Sequence, residues 1–404
     1  MKLFPLLYVA FVCYAPVVGN LTPRLYGDIK LEWLLFYSLL IFFFVKQCVS
    51  KNLRTGGSLF FTVLLYSSIV LISVVWAPNY TYDMHTITRI FARVISPLII
   101  LFMAMNLFND DDASHHYIKH LLWASCFISL INIYQILLGG GYGDEKFRAS
   151  ANFLNPNGVA IFLVSTLPCL LYAFEKKLLN KKLGLLFMIV IAGGVISTVS
   201  RKGIFSMVLV YFLFYLYKRQ FKKLIISFLV TVLVVIGLSS YTIISHRFGQ
   251  EQIQKQYTGK YEMAKAGFRM FLDNPVIGLG YRGYYENFGR YFPHATNRKY
   301  SAHNIYITAL VNYGIVGFIP FLAIFLIPLV ASVKILFLKQ RIDASQYNKD
   351  MALICILTLI PFMLCGFYAG GLFYNYSILY ILYSNTALFL SIPSCHRLGG
   401  DDRA

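Results

Sequence analysis

Long, uninterrupted apolar runs recur along this chain, and about 20 such residues make a helix that crosses the hydrocarbon core of a bilayer. The runs fall at approximately 3–19, 31–45, 58–76, 88–107, 117–138, 153–174, 183–200, 203–217, 223–242, 304–336, 350–366 and 375–392. Helices are required there because no water is present to satisfy backbone N–H and C=O groups. A barrel would show short alternating segments, which these runs are not. Charged residues make up 13% of the 404 and hydrophobic ones 58%, far from the roughly 25% charged of a soluble protein. The expected fold is therefore all-α, a polytopic helical membrane protein of about twelve spans, with residues 1–404 forming one integral membrane domain. The first twenty residues, with Lys2 and no convincing small-residue cleavage site, read as the first span rather than a removed signal. The run at 304–336 is too long for one straight span and is expected to bend near Gly314–Gly317.

The formal net charge of +19 would suggest nucleic acid in a soluble protein. Here topology accounts for most of it, because cytoplasmic loops collect Lys and Arg, and no nucleic-acid partner is expected. With both termini inside, basic clusters fall inward: Lys46/Lys51/Arg54, Lys176/Lys177/Lys181/Lys182, Lys218/Arg219/Lys222/Lys223 and Lys334/Lys339/Arg341/Lys349. Only the loop with Asp110, Asp111 and Asp112 dissents. That orientation puts the one long hydrophilic segment, 243–302 between the ninth and tenth spans, outside. Within it, 257–271 has the period of an amphipathic helix, with Tyr261, Ala264, Phe268 and Phe271 on one side.

Positive charge on the wrong side is the informative anomaly. Short outward connections hold Arg89 and Arg93, Lys146 and Arg148, and Arg201 and Lys202. The long loop adds Arg247, Lys255, Lys260, Lys265, Arg269, Arg282, Arg290, Arg298 and Lys299 against Glu251, Glu262, Asp273 and Glu286. Arg201 joins two apolar segments with almost no loop. A guanidinium there either snorkels to the interface or meets an anion, and its planar fork suits phosphate oxygens, with Ser200 as an added donor. His303 opens the helix that re-enters the membrane. It reads either as an interfacial or capping residue or as a base for a hydroxyl, and Ser301 and Asn304 beside it suit a cap.

Other patterns carry less. The sequence from Gly278 through Gly280 to Gly283 fits GxGxxG, but no strand–turn–helix unit surrounds it; it reads as turn. Seven cysteines are scattered without a CxxC pair or Cys/His cluster, and no structural metal is expected. Asn79-Tyr80-Thr81 matches a glycosylation acceptor.

Four pieces in order make the chain resemble the O-antigen ligase and polymerase family of bacterial membrane glycosyltransferases. Phe147-Arg148 with Asn152-Phe153-Leu154-Asn155-Pro156-Asn157-Gly158 is similar to its asparagine–proline–asparagine segment. Ser200-Arg201-Lys202-Gly203 resembles its serine–arginine–glycine step. Asp273-Asn274-Pro275 through Gly280 resembles its proline–glycine loop, and Ala302-His303-Asn304-Ile305-Tyr306 with Tyr313-Gly314 its most telling signature. The resemblance implies a glycan carried on undecaprenyl diphosphate and moved to a saccharide acceptor, lipid A–core or a growing glycan. It implies a bacterial inner membrane, a site facing the periplasm, and neither metal nor other cofactor. By residue, it implies His303 as the base and Arg201 as a diphosphate ligand, with Arg148, Asn157, Ser200 and Asn304 in support. The family's loop arginine is replaced by Lys260, which keeps the charge but loses the fork. Lys260 then holds phosphate more loosely, or Arg269 or Arg282 takes that part. Ligation onto lipid A–core is slightly favoured over repeat-unit polymerisation. The rival from another class is a transporter of an anionic lipid or sugar, which broken helices or inverted repeats would favour, with Gly193-Gly194 and Gly370-Gly371 as candidate breaks.

Overall fold

Helices that are apolar all round either pack among other helices or face lipid. The computed structural model contains both kinds. It describes residues 7–14, 24–26, 29–50, 57–77, 90–108, 111–139, 148–151, 155–226, 229, 250–292, 300–337, 345–368 and 376–391. Arg89, Asp110, Lys146, Phe147, residues 152–154, Arg247, Arg298, Lys299, the triplet at 79–81, most of the 223–242 run and Gly370-Gly371 lie outside the described residues.

The described elements are almost entirely helical. In chain order they are α1 (Leu31–Ser50), α2 (Ser58–Ile72), a π turn at Phe91–Ile95 leading into α3 (Ser96–Leu107), α4 (Asp111–Leu137), α5 (Pro156–Glu175), α6 (Lys181–Ser197), α7 (Arg201–Tyr217), α8 (Gln250–Asp273), α9 (Gly283–Tyr291), α10 (Ile305–Phe337), α11 (Gln346–Gly366) and α12 (Tyr376–Leu390). Ahead of α1, Arg24–Tyr26 pairs antiparallel with Ile29–Lys30, a small hairpin that the all-α expectation did not include. Four of the described helices, Asp112–Leu137, Pro156–Glu175, Ile305–Phe337 and Gln346–Gly366, are long and apolar enough to cross a membrane. Shorter apolar helices lie at Phe36–Val45, Ser58–Ile72, Arg93–Leu107 and Ile378–Leu390.

α5 is the central post. Nearly every residue from Pro156 to Ala173 is buried, and it packs against α4, α6, α7, α11 and α12. Apolar side chains gain little by leaving lipid for one another, so polar contacts between helices add direction. Asn385 of α12 supplies them. Its Oδ1 accepts from Tyr117 Oη at 3.0 Å, and its Nδ2 donates to Ser165 O at 2.9 Å and to Thr358 Oγ1 at 3.2 Å, joining α4, α5, α11 and α12. At the opposite end of α7 from Arg201, buried Asp350 of α11 receives Lys176 at 2.6 Å and Lys218 at 3.7 Å, while Lys218 also pairs Glu175 at 2.7 Å. These ion pairs tie the ends of α5 and α7 to the start of α11.

α10 breaks at Gly314, where φ is 59° and ψ −164°. The backbone groups freed by the break are taken up by the preceding turn. Leu279 N donates to Val311 O at 2.8 Å and Gly280 N to Asn312 O at 2.8 Å; Ile315 N donates to Pro275 O at 2.9 Å and Val316 N to Val276 O at 3.2 Å. Gly278 and Gly280 take positive φ to allow this close approach. The glycine pattern that mimics a nucleotide loop is therefore a backbone clasp around a broken helix. Gly193-Gly194, by contrast, lies within the unbroken helix α6.

Candidate functional site: a cationic cavity between α7, α8 and α11

The start of α7 is fixed by a buried polar knot. Ser200 caps the helix, its Oγ accepting from Gly203 N at 3.2 Å and donating to Asn157 Oδ1 at 2.9 Å. Asn157 sits in the first turn of α5, which Asn155 caps in turn by accepting from Asn157 N at 2.8 Å. Arg148, 5% exposed, donates from Nη2 to Asn157 Oδ1 at 3.3 Å and from Nε to Thr198 O at 3.2 Å. Three of the supporting residues named from sequence, Arg148, Asn157 and Ser200, thus come together, and what they do is hold two helix starts against each other. Val199, a β-branched residue, is forced to a φ of 47° in the tight turn before them, a conformation that persists only where surrounding contacts over-determine it.

Beyond this knot the chain encloses a cavity of about 540 Å³. Lys202 of α7, Lys260 of α8, and His303 and Asn304 at the start of α10 line it, and among the described residues no carboxylate does. Its apolar lining includes Phe205, Leu364 and Phe367, all strongly exposed. Tyr368, just past α11, bridges the two lysines: Lys202 Nζ donates to its carbonyl, and Lys260 Nζ stands 6.0 Å from its ring centroid. Alongside, Ser206 Oγ lies 3.1 Å from Cys365 Sγ, and Tyr306 Oη donates to Met363 O at 2.8 Å, so α7 and α10 both grip the end of α11.

Lys260 is carried into the cavity by the way α8 packs. Ala266 and Met270 are buried, Tyr284 Oη donates to Met263 O at 2.8 Å, and a Cβ at Gly267 would meet Ile307 at 2.4 Å. The buried side of α8 is therefore the one carrying Met263, Ala266, Gly267 and Met270. Of the side that the hydrophobic period singled out, Tyr261 and Phe268 are exposed, Tyr261 and Ala264 border the cavity, and Phe271 packs against the cluster of Tyr284 and Phe288; small residues on the buried side allow the closer approach to Tyr284 and Ile307. At the start of α10, Asn304 Oδ1 accepts from Tyr306 N at 2.9 Å and Ile307 N at 3.0 Å, an N-cap. His303 precedes it in a left-handed conformation, φ 49°.

The electrostatics follow from this crowding of cations. Partial burial, and after it the charges of Lys202 and Lys260, hold the His303 imidazole below its ordinary 6.5. Burial first, then the charge of Lys260, with smaller contributions from Arg201 and Arg148, brings the Lys202 ammonium from 10.5 down to about 8. Both shifts point the same way: the cavity disfavours positive charge and gains from an anion.

Of the residues singled out from sequence, His303, Lys260 and Asn304 line the cavity. Arg201 stands at the first turn of α7 beside Lys202, outside the lining. Arg269 is exposed on α8; nine residues on from Lys260, it falls two and a half turns away, on the opposite side. Arg282 pairs with Glu286 at 3.5 Å and lies over the Tyr285 ring at 4.6 Å, also outside the lining. Sequence reasoning gave no separate weight to Lys202, although it stands among the outward cations, and none at all to Tyr368. Nothing marks Tyr368 locally except an aromatic pair, Phe367-Tyr368, at the end of a span.

Residues 186–322 match the protein-family model described as O-antigen ligase. The matched stretch runs from within α6 to within α10 and so includes Lys202, Lys260 and His303. Over that stretch, about a third of the chain, the protein is similar to the O-antigen ligase family. No curated protein matches the chain.

Proposed function

We propose that this chain, an O-antigen ligase or polymerase-type membrane enzyme by its match over residues 186–322, transfers a glycan from a polyprenyl-diphosphate carrier to a saccharide hydroxyl in the cavity of Lys202, Lys260 and His303. The observation that carries the reading is the lining itself: two ammonium groups and an imidazole with no carboxylate among the described residues, opening onto exposed Phe205, Leu364 and Phe367. Such a cavity suits a substrate with an anionic head and a hydrocarbon tail.

In the proposed step the acceptor hydroxyl gives its proton to His303 and its oxygen attacks the anomeric carbon of the carried glycan. The bond from that carbon to the diphosphate oxygen breaks, and polyprenyl diphosphate leaves with the bonding pair. Its developing charge meets Lys202 and Lys260, cations already fixed by Tyr368 and by α8 packing, which is where preorganised electrostatics acts. Depression of its pKa keeps His303 neutral, hence able to accept the proton, at pH 7. Arg201 extends the positive field from behind Lys202, and Arg148, Asn157 and Ser200 hold the start of α7 in place. Lys260 acts as the loop cation in the part that Arg269 and Arg282 would otherwise take. The carrier is undecaprenyl diphosphate, the site faces the periplasm of a bacterial inner membrane, and the acceptor is lipid A–core.

The transporter reading set a broken helix as its sign, and α10 is broken at Gly314. The freed backbone groups there bond to the 275–280 turn, which favours a structural clasp over a substrate path. Reconstitution with lipid-linked glycan and lipid A–core tests the proposal. A new glycosidic bond on the core supports it; extension of the lipid-linked glycan alone makes the enzyme a polymerase; movement of glycan across the bilayer with no new bond overturns the transferase assignment.

A further inference from the structure

We propose that the outer face of α8 lies in one leaflet of the bilayer and binds anionic phospholipid headgroups, so that the cavity mouth sits at the membrane surface. This surface is separate from the transfer chemistry and stands without it.

Tyr261, Phe268 and Leu272 fall at i, i+7 and i+11, on one stripe of the helix. They are 57%, 56% and 58% exposed. Three large apolar side chains aligned over three turns of a helix whose other side is packed need a partner other than water. The helix itself shows which one. Lys265 and Arg269, both exposed, run along one flank of the stripe, while Lys260, about 100° round on the other side, turns into the cavity. Glu262 and Asp273 stand further round, toward the packed side. Apolar residues at the centre with exposed cations along the margin is the layout of a helix lying in a bilayer interface, where the cations meet lipid phosphates.

Continuity fixes the same occupant independently. The stripe runs on through exposed Val276 and Ile277. Their segment is hydrogen-bonded to α10 through Ile315 N to Pro275 O and Val316 N to Val276 O. Ile315, Val316 and Ile319 are exposed in their turn, on a helix long and apolar enough to cross a membrane. The outer face of α8 is therefore the upper edge of a lipid-facing surface. Tyr261 belongs both to the stripe and to the cavity lining, which places the mouth of the cavity where the leaflet ends.

The test uses the full chain in nanodiscs containing equal phosphatidylglycerol and phosphatidylcholine. A photo-crosslinking phenylalanine analogue replaces Phe268, Leu272 or, in a separate variant, Glu262, with a Val276 variant as a further position should Phe268 not tolerate replacement. Lipid adducts are read by mass. The proposal expects adducts at 268, 272 and 276 and none at 262. It expects phosphatidylglycerol adducts to exceed phosphatidylcholine by about fivefold for each cation, with the excess lost in Lys265→Gln/Arg269→Gln. Absence of adducts at 268, 272 and 276, equal yields at 262, or adducts without headgroup preference would overturn it. None of these readings depends on glycan transfer, so failure here and failure of the transferase assignment are told apart.

Discussion

Lys202 donates its ammonium to the carbonyl of Tyr368, and that bond spans the cavity wall from the first turn of α7 to the end of α11. The lysine is thereby held beside Lys260, whose ammonium faces the Tyr368 ring at 6.0 Å. An entering diphosphate finds both cations in place. A charge-assisted contact is worth about 1.5–3 kcal/mol, so Lys202→Met should weaken donor binding about 10- to 100-fold. Lys202→Arg should restore most of it. Titrating purified protein with a fluorescent polyprenyl-diphosphate analogue reads the difference.

The two shifted groups set a pH profile. His303 acts as a base only when neutral, and its pKa lies below 6.5, so activity should rise with pH through a limb on the acid side of that value. Lys202 is needed charged, and its pKa is about 8, so activity should fall as pH passes through that region. The result is a bell in kcat/KM with its alkaline limb near 8. Lys202→Arg should remove that limb and leave the acid one, because a guanidinium stays charged. An alkaline limb unmoved by the substitution would show that Lys202 does not cause it.

Gly314 should tolerate no side chain. A Cβ there would meet Val276 O at 2.2 Å and Val276 C at 2.4 Å, on a backbone with φ 59° and ψ −164°. Gly314→Ala should cost about 1–3 kcal/mol from backbone strain alone, with the clash added, and should show as a lower midpoint of thermal unfolding in detergent. Gly259→Ala, inside α8 where nothing lies within 4 Å, should hold or raise the midpoint, because alanine favours a helix over glycine by up to about 1 kcal/mol.

The ion pairs at the far end of the bundle make a separate prediction. Asp350 is 3% exposed and holds Lys176 and Lys218. Removing one partner of a buried pair leaves charge uncompensated, typically costing about 3–5 kcal/mol. Asp350→Ala should therefore lower folded yield, while the pH limbs of whatever protein folds stay where they are. A changed profile would mean that α11 transmits strain from this end to Tyr368.

Much of the fold was legible because its signal is local. Among the described residues apolar runs mark helices, and α2, α5, α7, α10 and α11 begin or end within a few residues of the expected limits. The bend near Gly314 was legible from excess length. The buried side of α8 was not. Periodicity grouped Tyr261 with Phe268, but the core lies on the side with Gly267 and Ala266, and closeness of approach to Ile307 cannot be read from hydrophobicity. The cavity was half legible: His303 and Lys260 stand out as titratable groups at a membrane boundary. Lys202 was overshadowed by Arg201 because one position along a helix turns a side chain by about 100°, and only packing decides which of the two faces inward. Tyr368 acts through its backbone carbonyl, which no residue type announces.

The direct measurement is single-turnover glycan transfer by protein reconstituted with lipid-linked glycan and acceptor, comparing the parent chain with His303→Ala. A general base contributes about 10²- to 10⁴-fold, so the bond-forming rate should fall by that factor while the fluorescent donor analogue still binds. Transfer at the parental rate by His303→Ala, with the donor bound equally well, would contradict the assignment of His303 as the base in a cavity of fixed cations.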